Sequence, residues 1–226
     1  MVRTMSVFDA LTVFHDIDSR PAALNMAIDE ALLESVTQPT IRFYRWDHPA
    51  LSFGYFGKAV EVEDYSSERE IVRRWTGGGI VFHGEDLTYS LVIPASDSAF
   101  GKSSMSIYKE THAAIRAALA TTGKTSELVE DAFPRISESC FANPVRADVM
   151  LNGKKIAGAA QRRTRGGLLQ QGSIQNVDLA PDFERSFAGQ LSGFNWRERT
   201  IDSTLIDRAQ QIAGEKYATV SWLRRR

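Results

Sequence analysis

Leu24, Ile28, Ala31, Leu32 and Ser35 recur at helical spacing, behind Asp18 or Ser19 as a cap and Pro21 just inside. The pattern predicts an amphipathic helix over residues 21–36. After Pro39 the period changes from helical to alternating. IRFYRW (41–46) sets Ile41, Phe43 and Arg45 on one face and Arg42, Tyr44 and Trp46 on the other, so it reads as a strand. ALSFGY (50–55) and IVRRW (71–75) read as further strands, with the polar, helix-prone EVEDYSSERE (61–70) between them. IVFH (80–83) and LTYSLVIP (87–94) read as two antiparallel strands across Gly84-Glu85-Asp86.

A second long helix is predicted from Ser103 or Ser104 to about Thr121. Its buried stripe is Ile107, Ala114, Ile115, Ala118 and Leu119, and Gly123 ends it. Residues 131–144 hold two prolines and no period, which makes them a loop. Asn152-Gly153 lies between RADVML and KKIAGAAQ and is a strong hairpin signal. LLQQGSIQ (168–175) is placed to pair next, and the tail from Pro181 reads as short helices ending in three arginines. Two long helices with many strands predict an α+β domain: a central mixed, largely antiparallel sheet flanked by helices. With no repeat or linker, residues 1–226 read as a single domain with a short helical tail from about residue 181.

Composition narrows the function. Of 226 residues, 43% are hydrophobic and 24% charged, which excludes disordered, collagen-like and coiled-coil chains. No run of eighteen apolar residues exists, so no membrane span is expected. The first residues are charged and interrupted and make a poor signal peptide. One cysteine, Cys140, forbids an intrachain disulfide and suits a reducing compartment, so the expectation is cytoplasmic. Lys and Arg number 27 against 28 Asp and Glu, and a net charge of −1 argues against a nucleic-acid partner. His15, His48, His83 and His112 lack metal-ligand spacing, so no metal is expected, and His112 reads as a surface position on the second helix. Gly101-Lys102-Ser103 resembles a phosphate loop, but Ser96 stands where its first glycine is required. No dinucleotide fingerprint or nucleophile elbow is present.

Three stretches carry candidate chemistry. RRWTGGGIVFH (73–83) places Arg73 and Arg74 before three glycines, whose bare backbone can approach a ligand. Taken alone, it would be an ordinary hairpin turn. GKKIAGAAQRR (153–163) reads as a strand with Lys155 at its start and Ala157, Gly158, Ala159 and Ala160 following, a floor on which a chain-like ligand can lie. The third is Cys140, a candidate nucleophile in a polar loop, where a small buried apolar residue is the alternative.

In that order these stretches resemble the catalytic domain shared by lipoate–protein ligases, octanoyltransferases and biotin–protein ligases. ALNMAIDEALL (23–33) is similar to the family's opening helix. RRWTGGGIVFH is similar to its arginine-arginine-x-Ser/Thr-Gly-Gly-Gly signature ending in histidine, and GKKIAGAAQRR to its lysine motif. Gln171-Gly172-Ser173 stands where many relatives have His-Gly-Ser/Thr, and Ala147 where the ligases commonly carry asparagine. The resemblance spans roughly residues 21–178 and implies transfer of a medium-chain acyl group to a protein lysine.

The octanoyltransferases and amidotransferases use a cysteine with the lysine, and in one branch of these the cysteine lies in the loop before the lysine hairpin, as Cys140 does here. The resemblance then implies Cys140 and Lys155 as catalytic residues and an octanoyl or lipoyl thioester on Cys140, with Lys155 at the acyl carbonyl. Arg73, Arg74, Thr76, Gly77, Gly78, Gly79, His83, Gly158, Ala159, Gln171 and Gly172 would bind substrate, the glycines forming a wall of the acyl tunnel. That branch needs no cofactor. The alternatives are an ATP- and Mg²⁺-dependent lipoate–protein ligase forming lipoyl-AMP, and a non-catalytic binder of lipoyl domains or acyl cofactor. The implied partners are an octanoyl-carrier protein or lipoyl-carrying donor and lipoyl-domain acceptors, the glycine cleavage H protein and 2-oxoacid dehydrogenase E2. Arg73, Arg74, Arg162, Arg163 and Arg165 would receive an acidic carrier or lipoyl domain, or else form a solvated face.

Overall fold

The computed structural model describes residues 6–130 and 144–225. Eight strands form one mixed sheet: β1 (Leu11–His15), β2 (Thr40–Tyr44), β6 (Leu87–Pro94), β7 (Glu127–Leu128), β8 (Val149–Leu151), β9 (Lys154–Arg163), β10 (Gly167–Ile174) and β11 (Trp196–Arg199). Their order is β11-β1-β2-β6-β10-β9-β8-β7. The β11–β1 and β1–β2 pairs are parallel and the rest antiparallel, as the α+β expectation required. A second, three-stranded sheet of β3 (Ala50–Phe53), β4 (Glu70–Arg73) and β5 (Val81–His83) has the order β4-β3-β5.

The helices are α1 (Ala22–Ser35), α2 (Ser104–Ala120), α3 (Phe183–Ser192), α4 (Ser203–Ile212), which continues into a π-helical turn over Ala213–Tyr217, and α5 (Val220–Leu223). On one face of the large sheet, Ile41, Phe43, Leu87, Tyr89, Leu91 and Ile93 pack against α2 and α3. On the other face α1 and α4 cover Tyr44, Val92 and Leu169. Strand alternation therefore decides which face is oily. It leaves Arg42, Thr88, Ser90, Gln171 and Ser173 on the α1 side, where α1 answers with buried Asn25 and Asp29.

Several expectations need correction. Neither Asp18 nor Ser19 caps α1: Pro21 takes that position, and the Ala22 N–H donates to Glu70 at 2.8 Å. IVFH and LTYSLVIP do not pair, because β5 joins β3 while β6 enters the large sheet. The connection folds around Asp86, which accepts hydrogen bonds from the Gly84 N–H and from Thr88 and Ser173, and so ties the turn to β10. The triple glycine is not a hairpin either, since β3 lies between β4 and β5. EVEDYSSERE forms two 3₁₀ turns, Ala59–Glu61 and Glu63–Ser67. β1 and β11 are strands without an earlier signal, and β11 breaks the run of helices expected in the tail. The Asn152-Gly153 hairpin stands as expected, with φ of 51° and 73°.

Candidate active site

A narrow cavity lies between the small sheet and the α1 face of the large one. β9 supplies Lys155, Gly158, Ala159 and Ala160, and β10 supplies Gln171, Gly172 and Ser173. Arg74, Val81 and His83 enter from the small-sheet side. Met26, Tyr44, Trp46, Ser52 and Thr88 complete the lining, and none of these five was singled out from the sequence as a site residue. Their signal was weak because they come from four separate segments.

Lys155 is 6% exposed, and its ammonium lies 2.7 Å from Asp148 Oδ2. The side chain runs forward along the strand over Gly158. A Cβ at that glycine would meet Lys155 Cε at 2.6 Å and Nζ at 2.7 Å, so glycine is what lets the cation lie there. Asp148 also accepts from the Tyr108 hydroxyl and from the Val145 N–H at 2.7 Å. The Tyr108 oxygen accepts in turn from the Ala159 N–H. The cation is therefore held by α2, β9 and the turn before β8 together.

Below that turn lies His112, which the sequence placed on the surface and the structure buries completely. Its Nδ1–H donates to the Ala147 carbonyl at 2.6 Å, and its ring packs 4.2 Å from that of Tyr108. Burial brings the imidazole down to about 4, outweighing the pull of Asp148 and the Ala147 carbonyl. Ala147 has φ of 69°, a left-handed conformation that alanine rarely takes.

The opposite wall is a chain of hydrogen bonds whose direction can be deduced. Burial works to raise the Asp86 carboxyl, but His83, Ser173 and the Gly84 N–H bring it down to about 2. Asp86 therefore only accepts, and His83 Nδ1, 2.9 Å away, must donate. Burial lowers the His83 imidazole, so its Nε2 is an unprotonated acceptor for the Ser52 hydroxyl at 2.6 Å. The Ser52 oxygen is then left to accept from Arg74 Nη1 at 2.7 Å. Arg74 Nη2 in turn donates to the carbonyls of Gly77 and Gly79. His83 thus positions Arg74, and Arg74 shapes the glycine loop.

Of the expected substrate-binding residues, Arg74, His83, Gly158, Ala159, Gln171 and Gly172 line the cavity with Lys155. Thr76, Gly77, Gly78 and Gly79 stand behind that lining. Gly78 has φ of 87°, and a Cβ at Gly54 would meet its carbonyl oxygen at 2.0 Å, so Gly54 lets the loop backbone pack closely, while a Cβ at Gly77 would meet nothing. Thr76 donates to Gln171, and Gln171 to Asp29 at 2.7 Å, so this glutamine joins the glycine segment to α1. Arg73 points elsewhere: its guanidinium donates to the carbonyls of Tyr55, Gly57, Trp222, Leu223 and Arg225 and clamps the C-terminal segment. Arg163 donates to the carbonyls of Phe100 and Lys102, and Arg165 is exposed. Cys140 lies outside the described residues. Among the described residues, no group of three or more His, Cys, Asp or Glu could hold a metal ion. No described helix is long and apolar enough to cross a membrane.

Comparison with known proteins agrees with this geometry. The model of the lipoyl protein ligase A/B catalytic domain matches residues 21–208. The octanoyltransferase LipM of Oceanobacillus iheyensis is 38% identical over 201 residues, covering 81% of this chain and 74% of that protein. Octanoyltransferase LipM of Brevibacillus brevis is 36% identical over 70% of this chain, which spans only 64% of its length. Octanoyltransferase LipM of Staphylococcus aureus is 34% identical over 76% of this chain and 68% of its own. Among solved structures, protein Ta0514 of T. acidophilum with bound lipoic acid superposes with a TM-score of 0.75 at 25% identity, covering 96% of this chain and 99% of that one. A lipoate-protein ligase A bound with ATP gives 0.76 at 23% identity, covering 97% and 98%, and shares the fold.

Proposed function

The chain belongs to the lipoyl protein ligase A/B catalytic-domain family, and from that premise we propose that it moves an octanoyl or lipoyl group onto the acceptor lysine of a lipoyl-domain protein, by way of a thioester on Cys140. One observation carries this reading: Lys155, paired with buried Asp148, lies on the cavity wall, and Asp148 is beside the point where the chain leaves toward Cys140 and returns. Val129 and Ala147, on either side of the segment holding Cys140, are hydrogen-bonded to each other, and Val145 bonds Asp148 itself.

A free thiol has a pKa of about 8.5, and a nearby ammonium favours the thiolate. The Cys140 thiolate attacks the donor thioester carbonyl. A new C–S bond forms, the donor's C–S bond breaks, and the donor sulfur leaves as a thiol with the proton. Lys155 donates a hydrogen bond to the carbonyl oxygen as charge develops there. The acceptor lysine amine then attacks the Cys140 thioester; a C–N bond forms, the acyl C–S bond to Cys140 breaks, and an amine proton passes to the leaving Cys140 sulfur. No step uses a nucleotide, and ATP with Mg²⁺ would be required only in the ligase alternative. An octanoyl-carrier protein or a lipoyl-carrying protein fits as donor, and the glycine cleavage H protein or a 2-oxoacid dehydrogenase E2 as acceptor. A working thiolate of this kind suits the reducing cytoplasm.

The test is incubation with octanoyl-carrier protein without ATP, followed by intact mass measurement and a hydroxylamine wash. The expected result is a single octanoyl adduct that hydroxylamine removes and that Cys140→Ser does not form. Full acylation of a lipoyl domain by Cys140→Ser, dependent on ATP, would overturn the reading in favour of ligation.

A further inference from the structure

Arg162 lies on β9 two residues beyond Ala160, on the strand face that lines the cavity. Its guanidinium carbon is 4.8 Å from the ring centroids of both Tyr55 and Trp75. Its buried Nε has no hydrogen-bond partner among the described residues. Two more cations share these aromatics. Lys216 Nζ is 4.1 Å from the Trp75 ring and 4.5 Å from that of Trp222, and the Arg225 guanidinium is 4.8 Å from Tyr55 and 5.5 Å from Trp222. One carboxylate, Glu30, pairs with Lys216. Burial lowers the Lys216 ammonium against the pull of Glu30, and Arg162 and Arg225 add to the lowering. Among the described residues, three cations with one paired carboxylate form a cluster short of negative charge. Stacking uses the flat faces of a guanidinium and leaves its edge N–H groups for an acceptor in its plane, which is the geometry that phosphate oxygens match.

We propose that Arg162, Arg225 and Lys216, framed by Tyr55, Trp75 and Trp222, bind a phosphate ester at the outer end of the tether that delivers the acyl group. The inference rests on the acyl-transfer reading above and adds a recognition site to it. The spacing selects the tether. The Lys155 ammonium lies over Gly158, and Arg162 is four strand residues further on, about 13 Å at 3.3 Å per residue. In an acyl-adenylate the phosphate is bonded directly to the acyl carbonyl, so it would sit at Lys155 and not at Arg162. A phosphopantetheine arm puts its phosphate at the far end of a chain equivalent to about five extended residues, ~17 Å. That length reaches from a carbonyl at Lys155 to the cation cluster. The cluster also abuts the glycine loop, because the Tyr55 N–H donates to the Thr76 carbonyl at 2.8 Å.

Calorimetric titration with 4′-phosphopantetheine and with pantetheine tests the site without requiring turnover. The full-length protein should bind the phosphorylated compound about ten- to a hundredfold tighter, the scale of one or two hydrogen bonds to a charged group. Arg162→Gln should abolish that preference. Arg225→Gln, at an exposed side chain that leaves the Arg162 stack intact, should reduce it, with melting curves confirming that both variants fold. In kinetics, Arg162→Gln should raise KM for S-octanoyl-4′-phosphopantetheine by a similar factor while leaving KM for S-octanoyl-pantetheine and both kcat values unchanged. Transfer from both donors with no phosphate preference would overturn the site and leave the acyl-transfer reading standing. A phosphate preference lost in Arg162→Gln, in a protein that transfers from neither donor, would support the site and sink the acyl-transfer reading. Loss of AMP binding in Arg162→Gln with phosphopantetheine binding unchanged would overturn the tether assignment.

Discussion

Two buried cations answer carboxylates on opposite sides of β10, and only one of them meets the cavity. Arg42 is fully buried and spends all five N–H groups on the carboxylates of Asp16 and Asp29 and on the carbonyl and side-chain oxygens of Asn25. Its guanidinium also stacks 4.0 Å from the Tyr44 ring. Burial would raise Asp16, but the hydrogen bonds and charges of Arg20 and Arg42 lower it. Lys155 pairs with the carboxylate of Asp148, and its ammonium lies along a cavity wall where Gly158 has no side chain. Arginine's fixed fork suits complete saturation, while the rotatable ammonium of lysine can hold a carboxylate and still turn a donor to a ligand. The same chemistry thus builds a structural knot under α1 and a reactive corner on β9.

The largest effect expected from this contrast is on stability. Arg42→Met leaves Asp16 and Asp29 buried without their shared cation, at a cost of about 3–5 kcal/mol. For a chain of this size that is a fall in Tm of roughly 10 °C, read by calorimetry, with activity per folded molecule changed only severalfold. If the melting point held and the rate collapsed, the assignment of Arg42 to the fold would be wrong.

Lys155 should show the reverse. Lys155→Ala should lower the rate on the order of 10²–10³, the scale for losing one oxyanion donor, while Lys154→Ala, at an exposed position on the other strand face, should not. Gly158→Ala sharpens the contrast because it keeps the charge. Its methyl meets the flexible end of Lys155 first and Asp148 Oδ1 at 3.3 Å, and the ammonium must move aside. The expected loss is about 10² in kcat with Tm nearly unchanged, since small displacements of a catalytic group cost that much. A Gly158→Ala enzyme with wild-type kcat would show that the position of the ammonium is unimportant.

The contrast also marks what could be read from the sequence. Alternation in IRFYRW correctly separated Ile41 and Phe43 from Arg42 and Tyr44, but not that both faces are buried, because the partners of Arg42 arrive from α1 and β1. The Asn152-Gly153 hairpin and Lys155 were legible because short-range turn chemistry sets them. Arg73 and Arg74 are neighbours of one type, and only long-range contacts tell them apart: the C-terminal carbonyls take Arg73, and Ser52 with the glycine carbonyls takes Arg74. The false β5–β6 hairpin has the same cause, since Asp86 is bound by Ser173 some 87 positions away. His112 was read as a surface residue because its neighbours in sequence are polar; its burial depends on Ala147, 35 positions further on.

That buried histidine gives the smallest of the expected effects, and one whose sign is fixed. In the folded protein the His112 imidazole titrates at about 4 against an ordinary value of 6.5, so between those values the unfolded chain binds a proton that the folded one does not. Its contribution to stability is therefore complete above pH 6.5 and is lost as pH falls toward 4. Between pH 7.5 and pH 5 the loss is about 2 kcal/mol. Urea unfolding at the two pH values measures it. His112→Asn, whose amide can still donate to the Ala147 carbonyl, removes the titration and should flatten this part of the pH dependence. The Lys155–Asp148 corner rests on this histidine through Tyr108 and the Ala147 turn. If wild type and His112→Asn lost stability in parallel on acidification, His112 would already be protonated in the folded protein, and the turn that carries Asp148 would hold a charge instead of a neutral ring.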